Sequence, residues 1–256
     1  MVKGLFTAYT GLLSEQKRLD VVSNNVANAA TVGYKKEGVT NQAFEELLTL
    51  KTKDASIGGD QAIGSMSLGT KLGEVYTNYE QGSLQETGNT FDLAISGNGF
   101  FQVAVTDKDG NETTKYTRDG SFKLDSYGYI LDSDGNHLIG ENGYVQVPDT
   151  NGTIAIDSSG VVFCNNVEVD KIKLQDFEDY KYIEKYGNNL YQTVDGATEK
   201  EATGNVLQGY LEQSNVQTVE EMVNMITITR AYEANQKVMN TMDSMLEKVV
   251  NKVGSI

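Results

Sequence analysis

Tryptophan is absent from this chain, and proline, cysteine and histidine occur once each. The lone Cys164 excludes an internal disulfide and any multi-cysteine zinc site. The lone His137 excludes a multi-histidine metal centre within one chain and leaves a histidine-dependent triad one candidate. No run of about 18 apolar residues exists, which argues against a transmembrane helix. The start, MVKGLFTAYTGLL, has one lysine and a short apolar patch broken by Thr7, Thr10 and Gly11. No clean small-x-small cleavage site follows, so we read it as helix and expect any export to proceed without a conventional cleaved signal. Apolar residues are 39% of the 256, below the globular average, so a packed core is expected beside thinly buried parts.

Basic residues are few: 21 against 36 acidic, a net charge of −15. Such a chain repels nucleic acid and anionic lipid, and no basic cluster offsets this. The charge is unevenly placed. Residues 1–36 carry +3, residues 211–256 carry −2, and the middle carries −16. The middle is an acidic, solvated body, and the near-balanced ends are compatible with packing together.

Both ends read as helices. Leu5, Ala8, Leu12, Glu15, Leu19, Val22, Val26 and Ala29 alternate spacings of three and four. So do Met225, Ile228, Tyr232, Asn235, Met239, Met242, Leu246, Val249, Val253 and Ile256, with Asn235 the only polar member. This is a heptad row, the pattern of a coiled-coil-like seam. A helix from about residue 219 to the end is roughly 55 Å long at 1.5 Å per residue. Thr218 and Glu221 fit a capping box at its start. The plainer alternative is that each row packs on its own domain.

The middle reads as β-structure. Turn pairs recur at Asp109-Gly110, Asp119-Gly120, Tyr127-Gly128, Asp134-Gly135, Asn142-Gly143, Asn151-Gly152 and Ser159-Gly160, their glycines 7 to 10 residues apart. That is the rhythm of short antiparallel strands. Phe101-Gln102-Val103-Ala104-Val105 and Val167-Glu168-Val169 alternate, which sets one face on a core and one in water. Cys164 ends an apolar run and reads as a buried small hydrophobe. Residues 51–90 are polar and glycine-rich with little periodicity, and read as an extended connector or a segment that orders against a partner. The expected organisation is residues 1–36 and 211–256 as paired terminal helices, 37–90 as connector, and 91–210 as an all-β domain: α+β overall, mainly β at the centre.

Motifs for chemistry are weak. Ser96-Gly97-Asn98-Gly99-Phe100 lacks the third glycine and the following helix of a dinucleotide loop, so a tight turn is expected. Asp132-Ser133-Asp134-Gly135-Asn136 has its glycine fourth, where a calcium loop needs it sixth; a hairpin turn explains it better, with His137 as an exposed turn residue. Paired carboxylates such as Asp107/Asp109 or Glu178/Asp179 arise by chance among 36 acidic residues. No cofactor, metal, nucleic acid or small-molecule substrate is expected, and no catalysis. More unusual is Asn24-Asn25-Val26-Ala27-Asn28-Ala29-Ala30-Thr31-Val32-Gly33-Tyr34-Lys35, where small side chains and three asparagines end a helix. Alanines permit close approach, Gly33 permits a positive φ, and asparagines can bond a neighbour's backbone. It is either an ordinary helix end or a close-packed interface.

These residues resemble the bacterial flagellar rod and hook protein family, nearly end to end. The carriers are Asn24–Asn28 with Thr31, Gly33, Tyr34 and Lys35; ISGNGFF at 95–101; YTRDGSF at 116–122; YGNNLY at 186–191; and SNVQTVEEMVNMITITRAYEANQKV at 214–238, followed by Asp243, Met245 and Leu246. Within the family the length, the Phe44–Gly69 connector and Val219–Glu233 are most similar to the distal-rod branch. The resemblance implies a non-enzymatic protein, exported by the flagellar type III apparatus without a cleaved signal. It implies helical polymerisation into a hollow, torque-transmitting basal-body shaft outside the cytoplasmic membrane. Its implied partners are further copies of itself, other rod proteins, the hook protein and the export apparatus. The implied interface comprises Leu5, Leu12, Leu19, Val22, Asn24, Asn25, Val26, Ala27, Asn28 and Gly33, with Met225, Ile228, Tyr232, Asn235, Met239, Met242, Leu246 and Val249. Two alternatives stand: a proximal-rod member, or a secreted β-protein joined by a terminal coiled coil.

Isolated helices need an apolar partner surface, so the ends of a lone subunit are expected to be largely disordered until assembly. Limited proteolysis with mass spectrometry of the fragments then removes roughly residues 1–40 and 215–256 and leaves an acidic core. Protected ends in a monodisperse monomer contradict that expectation.

Overall fold

A computed structural model describes residues 2–51, 61–67, 69–106, 110–150, 152–187 and 189–253. The chain forms two compact units. One comprises Met1–Ala27, Glu37–Asn78 and Gln217–Ile256; the other comprises Asn28–Lys36 and Tyr79–Val216.

The first unit is built on two helices, α1 (Val2–Ala27) and α2 (Thr218–Val253). Gly4 lies against Met242, Gly11 against Asn235, and Asn25 against Glu221. Numbers rise along one helix as they fall along the other, so the pair is antiparallel. The two glycines set the spacing. A Cβ on Gly4 would stand 2.7 Å from Met242 Cε, and one on Gly11 3.0 Å from Asn235 Nδ2. Ala8 and Ile228 are buried between elements of this unit and most other heptad positions are half-buried, so each helix offers the other an apolar partner surface. The capping-box expectation is corrected. Gln217 holds the cap position, its carbonyl accepting the Glu221 N–H at 3.0 Å, and the Glu221 carboxylate turns to Asn25 instead. Glu220 and Glu221 still place negative charge in the first turn, where the helix dipole favours it.

The expected connector is also revised. In it β1 (Glu37–Ala43) pairs antiparallel with β4 (Thr70–Thr77), and β2 (Leu47–Lys51) pairs with β3 (Gln61–Met66). Helix α1 lies on this ribbon. Ser14 Oγ donates to Asn41 Oδ1 at 2.9 Å, and a Cβ on Gly69 would collide with the Thr10 hydroxyl. Strands β1 and β4 are largely polar with little apolar alternation, so the sequence pattern hid their pairing. Residues 52–60 and 68 of the glycine-rich stretch lie outside the described residues. Residues 28–36 and 211–216, expected with the helices, and 79–90, expected with the connector, belong instead to the second unit.

Among the described strands of the second unit every pairing is antiparallel. The main sheet runs through Ile183–Tyr186, Leu190–Thr193, Glu112–Thr117, Phe100–Thr106, His137–Gly140, Ile130–Leu131 and Lys123–Leu124. A smaller sheet holds Ile154–Ile156, Val161–Cys164 and Val167–Lys171. Two further pairs join Leu93–Ser96 to Asn205–Gln208 and Leu84–Glu86 to Tyr210–Glu212. The expected turn glycines 128, 135, 143 and 160 take positive φ, while Asp109 and Asn151 of two expected turns lie outside the described residues.

Strand Phe100–Thr106 is covered on both faces. Phe101 and Val103 enter an aliphatic core with Leu93, Ile95 and Leu138, and Phe100 enters an aromatic cluster with Tyr116, Phe177 and Tyr191. Gln102, expected in water, is therefore buried, and its Nε2 donates to Gln175 Oε1 at 3.3 Å. Val167-Glu168-Val169 departs from its alternation too: a register shift opposite Val162/Phe163 leaves Val167 exposed and buries Asp170. His137 is not a free turn residue. It is half-buried in a strand with its ring stacked on Tyr144 at 4.8 Å. Cys164 is buried, as its apolar run indicated.

The hairpin turn at Asp132 carries a titration. Burial, and next the charge of Asp119, push the Asp132 carboxyl up to about 6 from 3.8. The folded state thus holds this proton more tightly than the unfolded one. Its contribution is fully present below about pH 4 and is lost as pH rises to about 6. Asp132→Asn is expected to remove that slope and to raise stability at pH 7 by about 1–3 kcal/mol. Urea denaturation at pH 4, 5, 6 and 7 measures it, and identical slopes in both proteins contradict the assignment.

Candidate functional site

Two arrangements stand out, one in each unit. In the first unit, Asn25, Asn235 and Met242 of the sequence-derived interface residues lie where the two helices meet. Ile228 is buried, and Leu5, Leu12, Leu19, Val22, Val26, Met225, Tyr232, Asn235, Met239, Met242 and Leu246 are half-buried. Asn24, Ala27 and Val249 are exposed. Asn25 is wholly buried, and its amide mimics a peptide group. Its Nδ2 donates to the Glu37 carbonyl at 2.8 Å while its Oδ1 accepts the Glu37 N–H at 3.0 Å. The expected asparagine-to-backbone bond thus exists, made within this chain. The seam leaves other apolar side chains uncovered: Phe6, Tyr9 and Leu13 on α1, and Val219, Met222, Val223, Ile226, Val238, Met245, Val249 and Val250 along the length of α2. An open apolar groove along α2 is lined by Ala234, Lys237, Val238, Thr241, Met242 and Met245.

In the second unit, Asn28 and Gly33 flank the segment that leads into a buried ionic junction. Asn28 closes the turn after the helix, its carbonyl accepting the Thr31 N–H at 3.1 Å. Gly33 sits at φ +69°, and a Cβ there would stand 2.5 Å from the Asp119 nitrogen, so only glycine fits without displacing backbone. Its N–H donates to the Glu212 carbonyl at 2.8 Å. Next to it Lys35 and Glu212, each with a side chain 1% exposed, meet at 2.5 Å. Arg118 Nη1 donates to the other Glu212 oxygen at 3.1 Å, and the Gly82 N–H donates to Oε1 at 2.9 Å. Lys35 Nζ also donates to the Glu80 carbonyl at 2.8 Å, and Arg118 Nη2 to the Gly97 carbonyl at 2.9 Å. Asn215 Oδ1 accepts the Lys36 N–H at 2.7 Å. One carboxylate thus holds four chain segments, around residues 35, 82, 118 and 212.

Burial pushes the Lys35 amine down from its ordinary value; Glu212 pulls it back up and Arg118 adds to the lowering. Two cations face one anion in a site nearly without water. Such a cluster stays together because removing any member strands the rest. It is sealed from solvent, and what it does is hold chain segments in place. The interface residues derived from sequence did not include Arg118 or Glu212. The signal was present, since Arg118 lies in YTRDGSF, but a lone glutamate at residue 212 has no pattern to mark it. Among the described residues no group of three or more His, Cys, Asp or Glu is placed to hold a metal. No helix there is long and apolar enough to cross a membrane.

Comparison with known proteins bears on both arrangements. Three family descriptions match: "Flagella basal body rod protein" over residues 5–35, "Flagellar hook protein FlgE/F/G D1 domain" over 94–164, and "Flagellar basal body rod FlgEFG protein C-terminal" over 207–252. The chain is 36% identical to the flagellar basal-body rod protein FlgG of Buchnera aphidicola subsp. Schizaphis graminum, covering 97% of this chain and 99% of the relative. It is 32% identical to FlgG of Bacillus subtilis, covering 98% and 99%. It is 31% identical to the basal-body rod protein FlgF of Caulobacter vibrioides, covering the whole of both. The first matched stretch ends on Lys35, and the last contains Glu212 and most of α2.

Replacing Glu212 with Gln leaves two buried cations without their anion. Stability is expected to fall by about 3–5 kcal/mol, the usual cost of breaking one side of a buried ion pair. Urea unfolding followed by circular dichroism measures this. A loss under about 1 kcal/mol, the size of a surface pair, contradicts a holding role for the junction.

Proposed function

We propose the following for a chain that belongs to the family of flagellar basal-body rod proteins: it is a structural subunit of the rod, and it polymerises through its terminal helices into the hollow shaft that carries torque towards the hook. The identities of 36% and 32% to FlgG proteins, over nearly the whole of each chain, favour the distal rod. A place in the flagellar basal body follows from the family. Assembly with further copies of itself and with other rod and hook proteins follows in the same way. Delivery by the flagellar export apparatus, without a cleaved signal, completes the reading.

The observation that carries it is the helix pair. Two helices from the chain's ends bury one apolar row against each other and still expose a second. A self-contained protein gains nothing from that second row, since exposed contiguous apolar surface invites association. A polymer subunit needs it. The seam supplies a stiff antiparallel rod, and the outer rows supply attachment.

Raising the concentration of the purified chain is expected to give filaments, seen by electron microscopy and by sedimentation. Ile228→Asp or Leu246→Asp puts a charge into the seam and is expected to abolish filaments while the β-rich unit stays folded by circular dichroism. Filaments like those of the unaltered chain from both variants would sink the helix-based mechanism.

A further inference from the structure

Three stretches that stand out in the sequence meet at one side chain. Asn189 belongs to YGNNLY, Asp119 to YTRDGSF, and Val32 to the asparagine-rich stretch that follows α1. Asn189 Nδ2 donates to Asp119 Oδ2 and to the Val32 carbonyl, both at 3.2 Å. An amide nitrogen carries two hydrogens, so it makes both bonds at once. The backbone of Asn189 is pinned as well. Its carbonyl accepts the Thr117 hydroxyl at 2.9 Å, and the Thr117 oxygen accepts the Asp119 N–H at 3.0 Å. Gly33, the residue after Val32, lies directly on the Asp119 backbone nitrogen.

Asp119 faces a second carboxylate. Asp119 and Asp132 are 7% and 6% exposed, and two serines bridge them. Ser121 Oγ donates to Asp119 Oδ1 at 2.7 Å. Its single hydrogen is then spent, so Ser133 is the donor in the 3.1 Å contact between Ser133 Oγ and Ser121 Oγ. The Ser133 N–H in turn donates to Asp132 Oδ1 at 2.6 Å. The charged groups that act on Asp132 are Asp119, across the serine bridge, and Asp134, on its own turn; both are acidic. Two buried carboxylates so placed resist ionising together, and one proton relieves them. Burial first, and then Asp119, set the Asp132 midpoint at about 6.

We infer that the Asp119–Asp132 pair is a proton-operated clasp on the stretch around Val32 and Gly33. With Asp132 neutral, Asp119 is unopposed across the bridge and holds Asn189, and through it Val32. With Asp132 ionised, two charges repel across the serines. That repulsion is relieved when Gly33 lifts away and water reaches Asp119. Lifting thus returns Asp132 towards its ordinary 3.8, and by linkage the ionisation of Asp132 favours lifting. The sign follows from the raised midpoint. The clasp is tight below about pH 4 and slackens as pH rises through about 6. This is independent of the rod-subunit reading: it concerns how firmly one subunit holds the stretch that leaves its first helix.

Hydrogen exchange with mass spectrometry on the full chain tests it. Protection is read over residues 28–36 at pH 5 and pH 7.5 and corrected for the chemical exchange rate at each pH. The Gly33 N–H, bonded to the Glu212 carbonyl, is among the amides read. Protection there is expected to be about threefold to tenfold higher at pH 5, tenfold being the ceiling for a carboxyl that moves from about 6 to 3.8 on release. Residues 154–164 of the smaller sheet are expected to show no such step. Asp132→Asn is expected to stay protected at both pH values. Asn189→Ala is expected to lose protection over residues 28–36 at both, with the step abolished; a merely structural role lowers protection and leaves its pH dependence in place. Carbon-13 NMR of the unaltered chain needs no substitution, and the Asp132 carboxyl midpoint is expected to match that of the exchange step. A step under about twofold overturns the clasp. So does an equal step in residues 154–164, a step that survives Asp132→Asn or Asn189→Ala, or an Asp132 midpoint at 3.8.

Discussion

The Glu212 carboxylate is the point on which the rest of the structure turns. It is almost without water, and it is held by Lys35, Arg118 and the Gly82 N–H. Desolvating one such charge alone costs several kcal/mol, so the cluster forms only when all its members arrive together. That all-or-none character fixes register. The segment that follows the first helix and the segment that precedes the second are locked to the same carboxylate.

The helix seam benefits from that lock. Between α1 and α2 lie 190 residues, 28–217. Once Lys35 has met Glu212, only residues 28–35 and 212–217 remain as the effective loop. Closing the shorter loop costs about 2 kcal/mol less chain entropy. The α1–α2 contact is thus a local event once the β-rich unit is formed, although it is one of the most distant in sequence.

Parts of this were legible in the residues. Heptad spacing located α2 and the side of it that is least exposed, from Met225 to Leu246. Turn glycines at 128, 135, 143 and 160 located the hairpins. Elsewhere the pattern misled, for identifiable reasons. Gln102 is polar but sits in a strand with a hydrophobic cluster on each face, where a hydrogen bond to Gln175 replaces water. Glu221 fitted a capping box, yet Asn25 was the better-placed partner. The ribbon β1–β4 was invisible because its pairing is made by backbone groups, which every sequence carries.

What the sequence by itself determined is periodicity and charge: where helices and strands run, which side of each is apolar, and that the ends differ from the acidic middle. These follow from bonding geometry within a few residues, which the chain carries wherever it goes. Only the tertiary structure decided which apolar row each helix spends on its partner, and that Lys35, Arg118 and Glu212, drawn from three distant stretches, share one buried site. A helix with apolar side chains on two sides has no local reason to prefer either. The choice is made by what the other helix and the β1–β4 ribbon can reach, and by glycines at 4 and 11 that let one side come close.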